Sequence, residues 1–282
     1  MSQIQSVRAR SVWDSRGCPT IEAEVRLTTG VTGRAIAPAG ASTGAGEAKE
    51  LRDGGTRLKG LGVDLAVNAV HEVIAPALTG MDINDQVDID AAICRADGTP
   101  DKSRVGGNST TAVSLACMWA ASRQADLPLW RYLSGSDEVG LPLPEIQIFG
   151  GGAHAGRRVD IQDFLVMPVG AQSFDEALVM VANVYHSAGK LMAAAGKLAG
   201  VADEGGWWPS FDSNEEALQT LTRAIDAAGY SYDQMVISLD IAASEFGRAG
   251  AYRLGLEHQE FDSQAWLEVL LGWVNKYPIL SV

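Results

Sequence analysis

The sequence predicts an α/β protein in two parts, a small α+β domain over residues 1–136 and the first part of an incomplete (β/α)8 barrel over 140–282. Three observations lead there. Strand-like alternation at the start passes into helical periodicity. The segment 134–143, where Gly, Ser, Asp, Glu and Pro concentrate, marks a boundary. Beyond it, strand-like and helical runs alternate, the pattern of a parallel sheet with crossover helices.

Residues 4–13 and 20–27 alternate apolar and polar side chains around a turn at 14–19, and 33–38 form a third β-like run, so the start reads as an antiparallel meander. The stretch 39–46 (AGASTGAG) has only small side chains. It cannot pack as a core element, and it is either a plain surface loop or a backbone that comes close to a ligand. From 62 to 133 apolar residues recur at helical spacing, as in Val67, Val70, Ile74 and Leu78, and again in Val113, Leu115, Ala116 and Trp119. Met118 and Trp119 read as core filling. Asn108, Ser109 and Thr110 supply capping side chains for a helix near 110–125, and Pro128 closes it. In the second part, strands are expected at 144–149, 161–167 and 235–240 and helices at 173–198, 213–228 and 262–276, with 279–282 starting another strand. An eight-stranded barrel needs about 250 residues, so only about half of one is expected from residue 140 onward.

With 46% hydrophobic residues in 282, the chain can bury a large core. Its 35 acidic and 22 basic residues give a net charge of −13, which opposes binding to nucleic acid or an anionic membrane. A small anionic substrate is compatible with that charge, because a metal ion or local arginines reverse the field within one pocket. Cys18, Cys94 and Cys117 have neither disulfide-framework nor zinc-site spacing. The N-terminus lacks an apolar signal core, and no run of about 18 apolar residues occurs. A soluble, cytoplasmic protein in a reducing compartment is expected.

In a barrel, catalytic groups sit at the C-terminal ends of strands. Four places qualify. Gly150-Gly151-Gly152-Ala153-His154 continues into Arg157 and Arg158, a glycine loop with a histidine and two arginines directly after a strand. Gln162 and Asp163 interrupt an apolar run, and an unpaired carboxylate buried there would cost several kcal/mol, on the order of a single large mutational effect. Asp203-Glu204-Gly205-Gly206 lets carboxylates project from a tight turn, and Asp240 ends the strand carrying Val236, Ile237 and Leu239. Each has a bland alternative: a structural histidine, a solvated edge, a surface turn, a strand-end cap. Together they supply paired carboxylates, an imidazole, an amide and an oxygen ligand for a hard cation such as Mg²⁺. That equipment suits proton abstraction beside a carboxylate, where a cation stabilises the enediolate and a second group protonates a departing hydroxide.

These residues resemble the enolase family over essentially the whole chain. The motifs that carry the resemblance are Arg10-Ser11-Val12-Trp13-Asp14-Ser15-Arg16-Gly17, Pro38-Ala39-Gly40-Ala41-Ser42-Thr43-Gly44, Gly151-Gly152-Ala153-His154-Ala155-Gly156, Asp203-Glu204-Gly205-Gly206, Leu239-Asp240 and Lys276-Tyr277-Pro278-Ile279, in the family's order. The resemblance implies an enolase-like α+β domain on a barrel, a homodimer, and Mg²⁺-dependent dehydration of 2-phosphoglycerate to phosphoenolpyruvate in glycolysis. It places Asp240 as a metal ligand, Ser42 as a lid residue closing onto a second metal at the substrate phosphate, and Glu204 as the acid that helps the hydroxyl leave. His154 and Gln162 match substrate-contacting positions.

The departures set up alternatives. Asp163 stands where the family has glutamate, one methylene longer, and a catalytic group misplaced by ~1 Å can lose about 10²-fold in rate. Arg157 and Arg158 replace small or neutral residues, Trp207 and Trp208 replace Phe-Ala, and Cys18 stands where asparagine is common. The added guanidinium groups, Arg157 foremost, favour an extra carboxylate, phosphate or phosphonate on the substrate, as in carboxyphosphonoenolpyruvate synthase. The family's further metal-binding acids and two lysines would follow Val282. If 282 residues are the whole product, an inactive enolase-scaffold protein is expected; as a partial sequence, the enzyme reading stands.

Overall fold

The computed structural model describes residues 2–40, 43, 44 and 46–282, so Ser42, the expected lid residue, lies outside the described residues. These residues form two compact units, Met1–Val139 and Gly140–Val282. No helix among them is long and apolar enough to cross a membrane.

In the first unit, β1 (Ile4–Trp13), β2 (Pro19–Leu27) and β3 (Thr32–Ala37) form an antiparallel sheet in that order. Alternation along β2 sends Ile21, Ala23, Val25 and Leu27 into the core, while Glu22 and Glu24 pair with Arg10 and Arg34 on the other face. A helical run follows, α1 (Asp64–Ala69) and α2 (Ala75–Leu78) joined through a π-helical turn at Val70–Ile74, and it buries Ala66, Val70, Ile74 and Leu78 at the expected spacing. The unit is completed by α3 (Gln86–Asp97), α4 (Gly107–Gln124) and α5 (Leu129–Ser134). Strand β3 lies so close to α4 that a Cβ on Gly33 would come within 2.2 Å of the Ala116 carbonyl oxygen, so only glycine fits there.

Two expectations for α4 need correction. Its N-cap is Gly106, with no side-chain cap. Asn108 instead bonds both backbone groups of Leu51, and the Ser109 hydroxyl donates to the Ala66 carbonyl, so these polar side chains tie the helix start to neighbouring segments. Trp119 is 37% exposed and lies beneath the Arg123 guanidinium, because the buried stripe runs through Ala112, Val113, Ala116 and Ala120, about one residue round the helix from it.

The second unit is built on a six-stranded sheet of β4 (Ile146–Gly150), β5 (Asp163–Met167), β6 (Leu198–Val201), β7 (Trp207–Pro209), β8 (Val236–Asp240) and β12 (Ile279–Ser281), in the order β12-β8-β5-β4-β7-β6. Its helices are α6 (Phe174–Ala194), α7 (Asn214–Ala227) and α8 (Ser263–Lys276). Each begins at a side-chain cap: Ser173 accepts from the Glu176 N–H, Ser213 from Glu216 and Asp262 from Ala265. Apolar stripes on α6 (Met180, Val181, Val184, Ala188) and α7 (Leu218, Leu221, Ile225) share one core with Ile148, Phe149, Phe164, Val166, Ile237 and Leu239 of the strands. The short strands β9 (Gly247–Arg248), β10 (Ala251–Leu254) and β11 (Gln259–Asp262) form a separate antiparallel sheet that sequence periodicity did not anticipate.

The expected all-parallel sheet is also corrected. Strand β5 runs antiparallel to both β4 and β8, whereas β8 and β12 are parallel, as are β4 and β7. The connection 151–162 contains only a 3-10 turn at Gly152–Ala155 and no crossover helix, so the chain comes back alongside the strand it left.

A buried amide fixes this connection. Asn214 Oδ1 accepts from the Asp160 N–H at 2.8 Å and the Ile161 N–H at 3.3 Å, while its Nδ2 donates to Asp160 Oδ2 at 2.9 Å and Glu257 Oε2 at 2.7 Å. Asn214→Ala strands those two N–H groups and is expected to lower stability by about 2–4 kcal/mol, measured by urea unfolding. A loss below about 0.5 kcal/mol, the level of an ordinary surface change, would show that the connection is held elsewhere. In the first unit, burial, reinforced by the charge of Asp90, pushes the Cys117 thiol up to about 12. A thiol reagent at neutral pH should therefore label exposed Cys94 and half-buried Cys18 in the native protein and Cys117 only after unfolding, as read by mass spectrometry.

Candidate active site

The reversal at β5 assembles the site. Ladder pairing sets Gly150 at the end of β4 opposite Asp163 at the start of β5, and Asp163 opposite Asp240 at the end of β8. Had β5 been parallel, Asp163 would sit at the far end of the sheet. The connection 151–162 closes at its base through Gly151 N–H to the Gln162 carbonyl (2.7 Å) and Gly152 N–H to the Val159 carbonyl (2.9 Å), which holds His154 over the same end. The turn between β6 and β7 supplies Glu204. It is fastened by Ala202 N–H to the Gly206 carbonyl (2.7 Å) and by Asp203 N–H to the His154 carbonyl (3.2 Å).

His154, Asp163 and Glu204 each offer a ligand atom within 4.8 Å of the others. The imidazole lies between the acids, Nε2 at 3.9 Å from Asp163 Oδ2 and Nδ1 at 3.7 Å from Glu204 Oε1. His154 and Asp163 are almost fully enclosed, their side chains 3% and 8% exposed, while Glu204 is 54% exposed. Gln162 Nε2 reaches Asp163 Oδ2 at 3.4 Å and Asp240 Oδ2 at 3.2 Å, and Asp240 Oδ1 accepts from the Ala242 N–H at 2.9 Å. Four of the five residues thus share one hydrogen-bonded or ion-pair network around Asp163, with Glu204 joined through the imidazole.

Burial pushes the Asp163 carboxyl above its ordinary range. The Gln147 amide, the nearby His154 and the Gln162 amide act against that shift, and Asp240 adds to it. Two polar atoms in the cluster, His154 Nδ1 and Gln162 Oε1, are buried without a hydrogen bond. Such atoms cost about 1–3 kcal/mol each when left alone, so they are natural contacts for a bound ligand. The donor set also suits a hard cation. Asp163 and Asp240 are adjacent acids whose mutual repulsion a divalent ion relieves, and Asp240 supplies oxygen ligands of the kind Mg²⁺ takes. The trio containing His154 is less suited to Mg²⁺, since imidazole is a ligand for softer metals.

The structure thus brings together His154, Gln162, Asp163, Glu204 and Asp240. It places Arg157 elsewhere: with φ at +57° its side chain turns to the loop after β8, where it pairs with Glu245 at 2.6 Å. Arg158 donates to the Ser210 hydroxyl at 2.5 Å. Sequence reasoning missed Gln147, which donates from Nε2 to both Asp163 Oδ1 and Glu204 Oε2. The signal was present, since Gln147 is a polar residue between Ile146 and Ile148 in an apolar strand, the same sign that pointed to Gln162 and Asp163.

Residues 4–133 match the family model described as the N-terminal domain of enolase, and residues 138–282 the one described as the enolase C-terminal TIM barrel domain. The chain is 48% identical over 284 positions to Enolase 1 of Desulfitobacterium hafniense (strain Y51), an alignment that covers 99% of this chain and 65% of that relative. It therefore spans about two thirds of the length of the curated relative it matches. With both halves matched in order, and with a carboxylate and imidazole cluster at one end of the barrel strands, the chain belongs to the enolase family.

Proposed function

We propose that the intact protein is a Mg²⁺-dependent lyase that dehydrates 2-phosphoglycerate to phosphoenolpyruvate, the glycolytic reaction, as a cytoplasmic homodimer. The observation that carries this reading is the convergence of Asp163, His154, Glu204, Gln162 and Asp240 through the antiparallel β5. Asp240 is the residue of the cluster that would hold the cation, and the unpartnered Gln162 Oε1, turned away from it, is a contact for the substrate. Bound at Asp240, the cation would supply positive charge to the enediolate that forms when a general base takes the proton beside the substrate carboxylate.

The residues of this chain serve the departing hydroxyl. Glu204, the exposed acid of the cluster, gives its proton to that hydroxyl, which leaves as water. His154, enclosed between Glu204 and Asp163, offers to the substrate its Nδ1, which makes no hydrogen bond. Asp163, whose burial favours the protonated form, holds a proton beside that path. An additional anionic substrate group has weaker support, because Arg157, the residue that suggested it, is committed to Glu245.

The direct test is phosphoenolpyruvate formation from 2-phosphoglycerate by the native protein, with and without Mg²⁺. Turnover should need the metal, and Glu204→Gln should lower kcat about 10²–10⁴-fold, the usual contribution of a general acid. Absence of turnover in the native protein, together with tight binding of phosphonoformate, would favour the phosphonate substrate. Asp240→Asn is expected to weaken Mg²⁺ binding at least tenfold in a calorimetric titration, since it removes a charged oxygen ligand. An unchanged affinity would take Asp240 out of the metal site.

A further inference from the structure

Gln147 sits in β4, buried and clamped on three sides. Its Oε1 accepts the Gly206 N–H at 2.9 Å. That single bond settles which way the amide points, because the opposite orientation would turn its NH₂ toward another donor. Nε2 therefore faces the acids, donating to Asp163 Oδ1 and, at 3.4 Å, to Glu204 Oε2. The slot is closed: a Cβ on Gly206 would lie 2.4 Å from Oε1, and one on Gly150 would lie 3.3 Å from both Nε2 and Oε1.

We propose that Gln147 is a positioning residue that sets the separation of Asp163 and Glu204, and that its length compensates for the short side chain of Asp163. The proposal rests on the lyase reading for its kinetic consequence and on geometry alone for the clamp. Asp163 reaches one methylene less far than glutamate from the same backbone position. It nevertheless meets Gln147, because the glutamine spans the gap from β4 while its other end is pinned to the turn that carries Glu204. One amide thus fixes both acids, one on the sheet and one on the turn.

The proposal is tested by exchanging reach between the two positions. Gln147→Asn and Asp163→Glu, each made alone, alter the summed length and should each lower kcat about 10-fold or more, with KM changed less than threefold. The double variant restores the sum and is expected within about threefold of wild-type kcat, an effect that a merely structural glutamine would not produce. Crystal structures of the wild type and the three variants measure the Asp163-to-Glu204 separation without any need for activity. A separation altered in both singles and restored in the double supports the clamp even if 2-phosphoglycerate proves to be the wrong substrate. Losses in the double that equal or exceed the product of the singles, or a separation unmoved by Gln147→Asn, would overturn it.

Discussion

The site depends on a buried carboxylate that is never left alone. Asp163 lies in the second unit where water is excluded, and an isolated charge there would be driven to take up a proton or to disrupt the sheet. Around it stand Gln147 on the neighbouring strand, Gln162 one residue earlier, and the His154 imidazole from the connection above. Each lowers the cost of the charge, and Asp240, paired across the ladder, raises it. The balance leaves a carboxyl with a raised proton affinity and an adjacent acid that keeps the need for positive charge unsatisfied within the protein. Those are the conditions for a proton carrier beside a cation site.

The sheet topology follows from the same requirement. A parallel β5 would carry Asp163 to the opposite end from Gly150 and Asp240, and the network would lose its centre. The return of the chain after β4 is therefore what makes one end of the sheet reactive. Asn214 and Asp160 have a supporting role in that return: the amide satisfies the backbone of 160 and 161, and the Asp160 carboxylate accepts from the N–H groups of Gly255 and Leu256. A connection with no regular element beyond one 3-10 turn is thereby tied at its Asp160 end, and His154 lies in that turn between two acids.

Much of this was legible from residue patterns because it rests on local chemistry. The meander appears as alternation, α6 to α8 as apolar periodicity behind Ser or Asp caps, and Asp240 as an acid ending an apolar strand. What stayed hidden was set by pairing at long range. Nothing within 161–167 states the direction of that strand, so the polar pair interrupting the apolar run is legible while its place, at the start of the strand and not its C-terminal end, is not. Gln147 shows in the sequence only as a polar residue in an apolar strand, and its partners, Asp163, Glu204 and Gly206, are brought to it only by the sheet and the β6–β7 turn. Trp119 was misread because a single aromatic beside a small-residue stripe falls on either side of the helix within one position.

The same distinction sorts the residues that stand around the cluster. Trp207 stacks on Tyr185 with ring centres 4.4 Å apart and donates its indole N–H to the Tyr185 carbonyl, packing against α6 at Gly189. Trp208 lies against Gly156 at the edge of the histidine loop, while Arg157 and Arg158 are engaged by Glu245 and Ser210. These four side chains brace the loops that surround the cluster. Asp163 alone belongs to the cluster itself, and a short buried acid keeps a partner only where a neighbour extends to meet it. Gln147, the residue with that reach, is held by the turn bearing Glu204, so the strand, the turn and the short acid converge on the spacing between two carboxylates.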